Sequence, residues 1–405
     1  MKRWRTIIPS LAAIGLVALW AASGRAEQLT GLEGVPFNAD ITGIDAGGQV
    51  QLANGPVARV DLQSLRRIGR STDPVLALRP AVMVYLKGGG ALFAQRVTLH
   101  DAHASIERQD GSVLKLPTQT IRGLWMQVPE AWYPSLKPDN RFMAALADKA
   151  PMHSDRIFVL TDQGVQSIGG LLENIGPHEV HILYANQDRV LPPARFYGVV
   201  LARTGEPFDP TGQCFISLRD GSTLWAQVRT LQGQTLTLAV DGTQFTVPWD
   251  SVARLDVRSR RMVFLSDLDP VAETQDYFPT GFWKWQRDKA VSGQPLVLAG
   301  QVYEKGLGMH ARCALTYDLG GRYDALAATI GVQPPVPGKG DCEFVVSGDG
   351  RELFRQRLTG GDAPQPIRVS VTGVQRLTLT VDPGGDLDLA DHADWAGARL
   401  IRDAK

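Results

Sequence analysis

The sequence predicts an all-β chain, with tandem small β-barrel or meander units followed by a jelly-roll β-sandwich. Three observations carry that prediction. Helical periodicity is almost absent after the first 26 residues. Short alternating runs such as FISLRDG (215–221) and TLTLAVDG (235–242) end in glycine-containing turns, the pattern of β-hairpins. One spacing pattern recurs four times between residues 29 and 260, and a run of short strands with Gly-rich turns replaces it after Pro279.

The first 26 residues read as a secretory signal peptide. Lys2, Arg3 and Arg5 form a basic start, an apolar run extends from Ile7 to Trp20, and Gly24-Arg25-Ala26 places small residues at the −3 and −1 positions before Glu27. The run is shorter than the ~20 apolar residues of a membrane span. The expectation is a secreted, periplasmic or cell-surface protein that has no transmembrane segment once the signal is removed. The whole chain carries 42 basic and 42 acidic residues. Removing Lys2, Arg3, Arg5 and Arg25 leaves 38 and 42, a net charge of −4, which disfavours nucleic acid or an anionic membrane as a partner. The remaining 379 residues suggest two or three domains.

The repeat is aligned on Asp61, Pro117, Pro192 and Pro248. Twenty residues earlier stand Ile41, Val97, Leu172 and Val228, and six earlier stand Gly55, Gly111, Asn186 and Gly242. Four residues after the anchors come Leu65, Ile121, Phe196 and Val252, and seven after come Ile68, Leu124, Val199 and Leu255. The apolar columns suit a buried strand face, and the Gly/Asn column suits a tight turn that needs positive φ. The anchors are 56, 75 and 56 residues apart, which groups the units as one pair over 27–128 and another over 156–262. An insert over 129–155 separates them, with Pro-rich PEAWYPSLKPDN followed by a short helix near Arg141–Lys149. The units are of an SH3-like kind, and stacked repeats serve a shared core first.

His100 with His103, and His178 with His181, stand three apart. On a strand such positions face opposite sides, so they read as surface histidines rather than a ligand set. Trp125, Trp225 and Trp249 read as core. Cys313 and Cys342 precede strand-like runs of one domain and are candidates for a bridge, two small buried residues being the alternative. Cys214 is left over as a buried thiol. Residues 263–278, where acids cluster and alternation fades, read as a linker before a module over 279–405.

Within that module three stretches exceed generic β-sequence: YEKGLGMHA with the following YDL, the Asp349-Gly350 turn of VVSGDGREL, and DHADWAGARL. Tyr303, Gly306, Gly308, His310, Ala311, Tyr317, Asp318, Leu319, Asp391, His392, Ala393, Asp394 and Trp395 carry them. Together they resemble the NPCBM family of carbohydrate-binding modules over about a third of the chain. The resemblance implies a galactose-binding-like sandwich of the kind attached to extracellular glycoside hydrolases and surface proteins. It departs at Gly331-Val332-Gln333-Pro334-Pro335, where family members commonly continue with acidic residues.

A pyranose presents an apolar C–H face and a rim of hydroxyls, which an aromatic platform and polar side chains match. Trp283, Trp285 and Trp395 are candidate platforms, with Tyr303 beside them; His310, Arg312, His392 and Asp394 are candidate hydroxyl partners. Buried hydrogen bonding by His310 and the DHADW cluster is the structural alternative. Trp283 and Trp285 alternate, so one faces the core and the other solvent. Asp382, Asp386, Asp388 and Asp391 crowd one loop and form a candidate structural calcium site, although the spacing is not that of an EF-hand and a solvated acidic loop is the simpler reading. No other cofactor is required.

GxSxG, HExxH, P-loop and dinucleotide-binding fingerprints are absent from the sequence. The expectation is therefore a protein that is not an enzyme and binds a glycan or polysaccharide through the last module. The repeats then serve as spacer or as a platform for other exported proteins. The alternatives are a structural or assembly protein whose sandwich contacts protein, and a glycoside hydrolase accessory or unrecognised hydrolase.

Overall fold

The structure is a computed structural model. It describes residues 26–403 apart from 35, 71–79, 101, 127, 129–136, 149, 151, 203–207, 277–282, 334–336 and 386. The signal-peptide reading therefore lies almost wholly outside the described residues, as does most of the Pro-rich insert. The described residues are nearly all strand and turn, with one α-helix, Asn140–Ala147.

Each repeat is a strand meander whose second strand is long: Pro36–Ile44 in the first unit, Gly164–Ile175 in the third, Thr223–Gln232 in the fourth. In the second unit this strand is broken into Ala91–Ala94 and Arg96–His100. The anchor column has a specific role, since Asp61, Pro117, Pro192 and Pro248 are the N-cap residues of four 3₁₀ turns leading into the last strand. Proline fits there because a cap needs extended φ and no N–H donor, while Asp61 instead accepts from the amide of Gln63. Ile68, Leu124, Val199 and Leu255, one turn further on, are fully buried. Gly111, Asn186 and Gly242 have φ of 79°, 58° and 80°, and in the first unit Asn54 at 53° takes the turn in place of Gly55.

The units pair differently from the sequence grouping. The last strand of the first unit, Leu65–Gly69, pairs with that of the fourth, Val252–Val257, placing Ile68 opposite Leu255. The last strand of the second, Ile121–Trp125, pairs with that of the third, Phe196–Val200, placing Leu124 opposite Val199. The tips of the long strands meet within the same pairs, Ile44 with Leu231 and Leu99 with Ile175. The pairs over 27–128 and 156–262 are thus corrected to first-with-fourth and second-with-third. An unpaired last strand is an edge that another edge must satisfy, and the spacing, symmetric about its middle, does not encode which edge that is. One apolar cluster runs through all four units, from Leu29 and Leu99 to Ile182 and Leu238. The two pairs are also stitched by the Phe93 amide donating to Ser222 (2.9 Å) and by Arg108 on Asp220 (2.7 Å).

The helix closes the outer face of the second and third units. Asp139 caps it by accepting from the Arg141 amide at 2.8 Å. Phe142, fully buried, packs edge-on to Phe158 with centroids 5.2 Å apart, over Gly198, whose missing side chain leaves the room. Arg122, also buried, donates to the carbonyls of Ala145 and Asp148 near the helix C-terminus.

The C-terminal module is a two-sheet sandwich. One sheet runs Gln286–Arg287, Gly306–His310, His392–Ile401, Ala325–Val332, Gln365–Ser370; the other runs Ala272–Gln275, Cys313–Asp318, Arg376–Pro383, Asp341–Gly348, Arg351–Thr359. The stretch 263–278 is not a linker. Met262–Phe264 pairs with His392–Ile401 in the first sheet, and Ala272–Gln275 is an edge strand of the second. Cys313 and Cys342 lie on strands that flank a third, Arg376–Pro383. That puts them two strand spacings apart, roughly 10 Å, beyond the reach of a disulfide. All three cysteines are buried and none is bridged.

The outer-face cluster around Phe142 is separate from the core of the sandwich. Phe142→Ala should therefore lower the unfolding transition of the repeat body by about 3–5 kcal/mol and leave the sandwich transition in place. Denaturation followed by tryptophan fluorescence and by domain-resolved hydrogen exchange checks this.

Candidate functional site

The strands Gly306–His310 and His392–Ile401 are antiparallel neighbours, and their register sets His310 directly opposite His392. Residues in direct opposition point to the same face, so the two imidazoles stand side by side on the outer face at one end of the sheet, with centroids 5.6 Å apart. Trp283 covers them. Its indole stacks on His310 at 6.0 Å with planes 8° apart, and meets His392 edge-on at 4.7 Å. Gln275 donates to the Trp283 carbonyl and fixes its backbone. Trp283 remains 39 % exposed, whereas His310 and His392 are 8 % and 2 % exposed.

Burial first, and then the neighbouring His310, hold the His392 imidazole down at about 4; burial also lowers His310, against the nearby Asp388 carboxylate. At neutral pH both rings are therefore uncharged, each offering one donor and one acceptor. Asp388, itself buried, lies 3.7 Å from the guanidinium of Arg312, whose backbone takes a left-handed turn (φ 65°) just after the His310 strand. The site is thus an open indole on two neutral imidazoles, flanked by one arginine–aspartate pair.

The other candidates go elsewhere. Trp285 is buried and donates to Glu273 at 2.7 Å, so of the alternating pair Trp283 stays outside. Trp395 faces the sandwich core, edge-on to Phe344 at 5.2 Å, and is no platform. Tyr303 lies beyond the far end of the Gly306–His310 strand, roughly 13 Å or more away at the rise of a strand, beside Gly397. Asp349 is a turn clamp that accepts from the Gln375 and Arg376 amides.

Asp394 is on the same outer face as His392 but under cover. Its register partners on both sides are glycines, Gly308 and Gly331. A side chain at Gly308 would strike the backbone of Lys289–Val291, and one at Gly331 would strike Leu298. That loop therefore lies over the Asp394 carboxyl, which is fully buried and has neither oxygen hydrogen-bonded. Burial raises its pKa well above the carboxylate range, so the group is a neutral acid.

Of the four acids read as a calcium set, the three described ones do not converge. Asp382 is part of a strand, Asp388 faces Arg312, and Asp391 accepts from the Asp341 amide at 2.8 Å. Asp386 lies outside the described residues, and among those described no group of three or more acidic, histidine or cysteine side chains is placed to hold a metal. His100 and His103 face each other across a hairpin rather than lying on one strand. Asp388 was legible as an acid of this loop, but its place beside His310 needed the fold.

Residues 261–401 match the family model described as NPCBM/NEW2 domain. This stretch includes the Met262–Phe264 and Ala272–Gln275 strands. A similar protein is "Putative endo-alpha-N-acetylgalactosaminidase" of Renibacterium salmoninarum, 36% identical over 110 residues. That match covers 27% of this chain and 7% of the relative, so the chain spans well under a tenth of the relative's length. Among solved structures, similarity extends to CBM51 from Clostridium perfringens GH95 in complex with methyl-galactose, at 28% identity and TM-score 0.32 over 35% of this chain and 99% of that one. It extends also to CBM51-2 in complex with GlcNAc and INT domains from Clostridium perfringens ZmpB, at 21% identity and TM-score 0.32 over 44% and 40%. No helix among the described residues is long and apolar enough to cross a membrane.

The buried Asp394 has a consequence for stability. Its folded pKa lies above the unfolded value, so below the unfolded pKa it costs nothing as an acid, and stability falls as pH rises from there toward the folded pKa. Asp394→Asn, a neutral isostere, should melt at or above the wild type at pH 7, and the difference should vanish as pH falls below about 4. Thermal denaturation across that pH range measures it; a variant that melts lower at every pH would contradict the neutral-acid assignment.

Proposed function

We propose that the chain is an exported protein that binds carbohydrate without transforming it. The sugar's apolar face lies on Trp283, and its hydroxyls meet His310, His392 and Arg312. The observation that carries this reading is the indole itself, 39 % exposed yet fixed by stacking on two buried imidazoles. A large aromatic surface left in water but held in one orientation suits a C–H face, because no ordering cost remains at binding. Neutral imidazoles serve as donor and acceptor together, which suits hydroxyls better than a charged ligand. The carboxyls around the platform support binding rather than hydrolysis: Asp388 is engaged with Arg312 and Asp394 is sealed under the Lys289–Leu298 loop. The repeats act as a rigid body that carries the module.

Affinity electrophoresis of the full chain against neutral galactose- and N-acetylhexosamine-containing polysaccharides tests the reading. Trp283→Ala should cut retention about tenfold or more, the effect of losing an aromatic contact together with its buried area, in a chain that its melting curve shows to be folded. Undiminished retention by a folded Trp283→Ala chain would refute the platform. Turnover of chromogenic glycosides would refute the non-catalytic part. Both imidazoles are held neutral in the fold, so binding should be flat above pH 6.5. Binding by the folded chain should weaken only as pH approaches about 4, whereas stability should already decline as pH falls from the unfolded histidine value of 6.5.

A further inference from the structure

A cleft of about 570 Å³ opens where the first and fourth repeat units, the Gly88–Gly90 turn of the second, and the Gln301–Lys305 segment of the sandwich meet. One part of its wall is aromatic, with the rings of Phe215 and Trp225 5.1 Å apart. Another is guanidinium. Arg66, Arg67 and Arg254 line it, and Arg399 lies directly behind the lining residue Gly397.

Two carboxylates answer these four cations. Asp256 engages Arg67 and, at 2.7 Å, Arg254. Glu304 stands 3.5 and 3.8 Å from the same two arginines, with most of its side chain in solvent. The Arg66 guanidinium makes no direct hydrogen bond or salt bridge among the described residues, and Asp256 and Glu304 act on it only at longer range. Arg399 donates to the carbonyls of Leu32 (2.6 Å) and Gly397 (2.7 Å), not to an acid. The other lining cations, Arg258 and Lys305, are held by Asp267 and Asp288, so the corner as a whole stays net positive. Burial, and then the neighbouring guanidinium in each case, lowers Arg66 and brings Arg399 down to about 10. Desolvated like charges in one corner are costly until an anion joins them. A guanidinium fork matches a carboxylate or sulfate with two parallel donors.

We propose that this cleft is a second saccharide site, specific for an acidic sugar whose carboxylate or sulfate ester docks on Arg66 and Arg67 while its ring lies against Trp225. The volume is that of an ordinary ligand site. The aromatic wall beside the cationic corner is what separates a sugar acid from a bare anion. The site is distinct from the Trp283 platform, at the other end of the Gly306–His310 strand, and does not depend on that platform binding anything.

Calorimetry at low ionic strength tests it, on the full chain and on its Trp283→Ala variant, which silences the platform, with trigalacturonate, galactose 6-sulfate, galactotriose and inorganic sulfate as separate titrants and the comparison with galactotriose read on the variant. At least one acidic sugar should bind about tenfold or more tightly than both galactotriose and inorganic sulfate, and added salt should weaken it; which acid succeeds tells carboxylate from sulfate. Arg66→Gln should remove about tenfold of that affinity. Val302→Glu, at a position 63% exposed on the cleft wall, should weaken it by charge alone without disturbing the core. Trp283→Ala should leave acidic-sugar binding unchanged, which separates failure here from failure of the platform. The proposal falls if neither acid binds the folded chain, if inorganic sulfate binds as tightly as the sulfated sugar, or if both cleft variants, shown folded by their melting curves, retain full affinity.

Discussion

The strand His392–Ile401 is buried along its whole length and on both faces, and the sandwich is organised around that constraint. Inward, Ala393, Trp395, Ala398 and Leu400 belong to the core between the sheets. Outward, the strand meets three different environments in turn. His392 meets the Trp283 indole, Asp394 meets the Lys289–Leu298 loop, and Arg399 and Ile401 meet the repeat body. Strands buried on both sides are ordinarily apolar throughout. Here three of the outward positions, His392, Asp394 and Arg399, are polar because each has been given something other than water to touch.

The last of those environments fixes the module to the rest of the chain. Leu32 of the first repeat unit packs with Met262, Phe264, Ala325, Ala327 and Ile401 in one apolar cluster. Around it Arg399 donates to Leu32, Arg368 reaches Glu33 at 2.9 Å, and Arg261 reaches Ser64 at 2.6 Å. Because Met262–Phe264 is already a strand of the sandwich sheet, the repeats lead into the module without a tether. An apolar seam that shares strands with one partner makes the two parts one rigid unit, unlike domains joined by an exposed linker. The cleft beneath Gly397 exists because of this docking.

The β-architecture was legible because its signals are local. Turn glycines, the anchor column and the apolar columns each report on a few residues of backbone, and the anchors proved to mark one kind of 3₁₀ cap. Which unit pairs with which was not legible, since edge pairing is a tertiary choice and the spacing is symmetric. In the site, the alternation of Trp283 and Trp285 separated an outward from an inward ring. Trp395 and Asp394 were misplaced for one reason: in a strand with no exposed face, polarity no longer tells outside from inside. Tyr303 was misplaced because a motif keeps residues close in sequence while an extended strand carries them apart. Arg66 and Arg399 have no motif at all, and only the fold shows that neither guanidinium is paired directly with an acid.

The segment His-Ala-Asp-Trp at 392–395 shows how one alternation supports different chemistry. His392 and Asp394 point the same way, two residues or about 7 Å apart, yet one ring contacts a solvent-exposed platform and the other group is sealed as a neutral acid. What differs is the neighbour. His392 is opposite His310, whose ring builds the site outward, whereas Asp394 is flanked by Gly308 and Gly331, whose missing side chains let the loop descend onto it. The glycines of the YEKGLGMHA stretch thus do more than shape turns. By admitting the loop at mid-strand they confine the outward-facing polar surface to the end of the sheet, and it is there that a ligand can reach it.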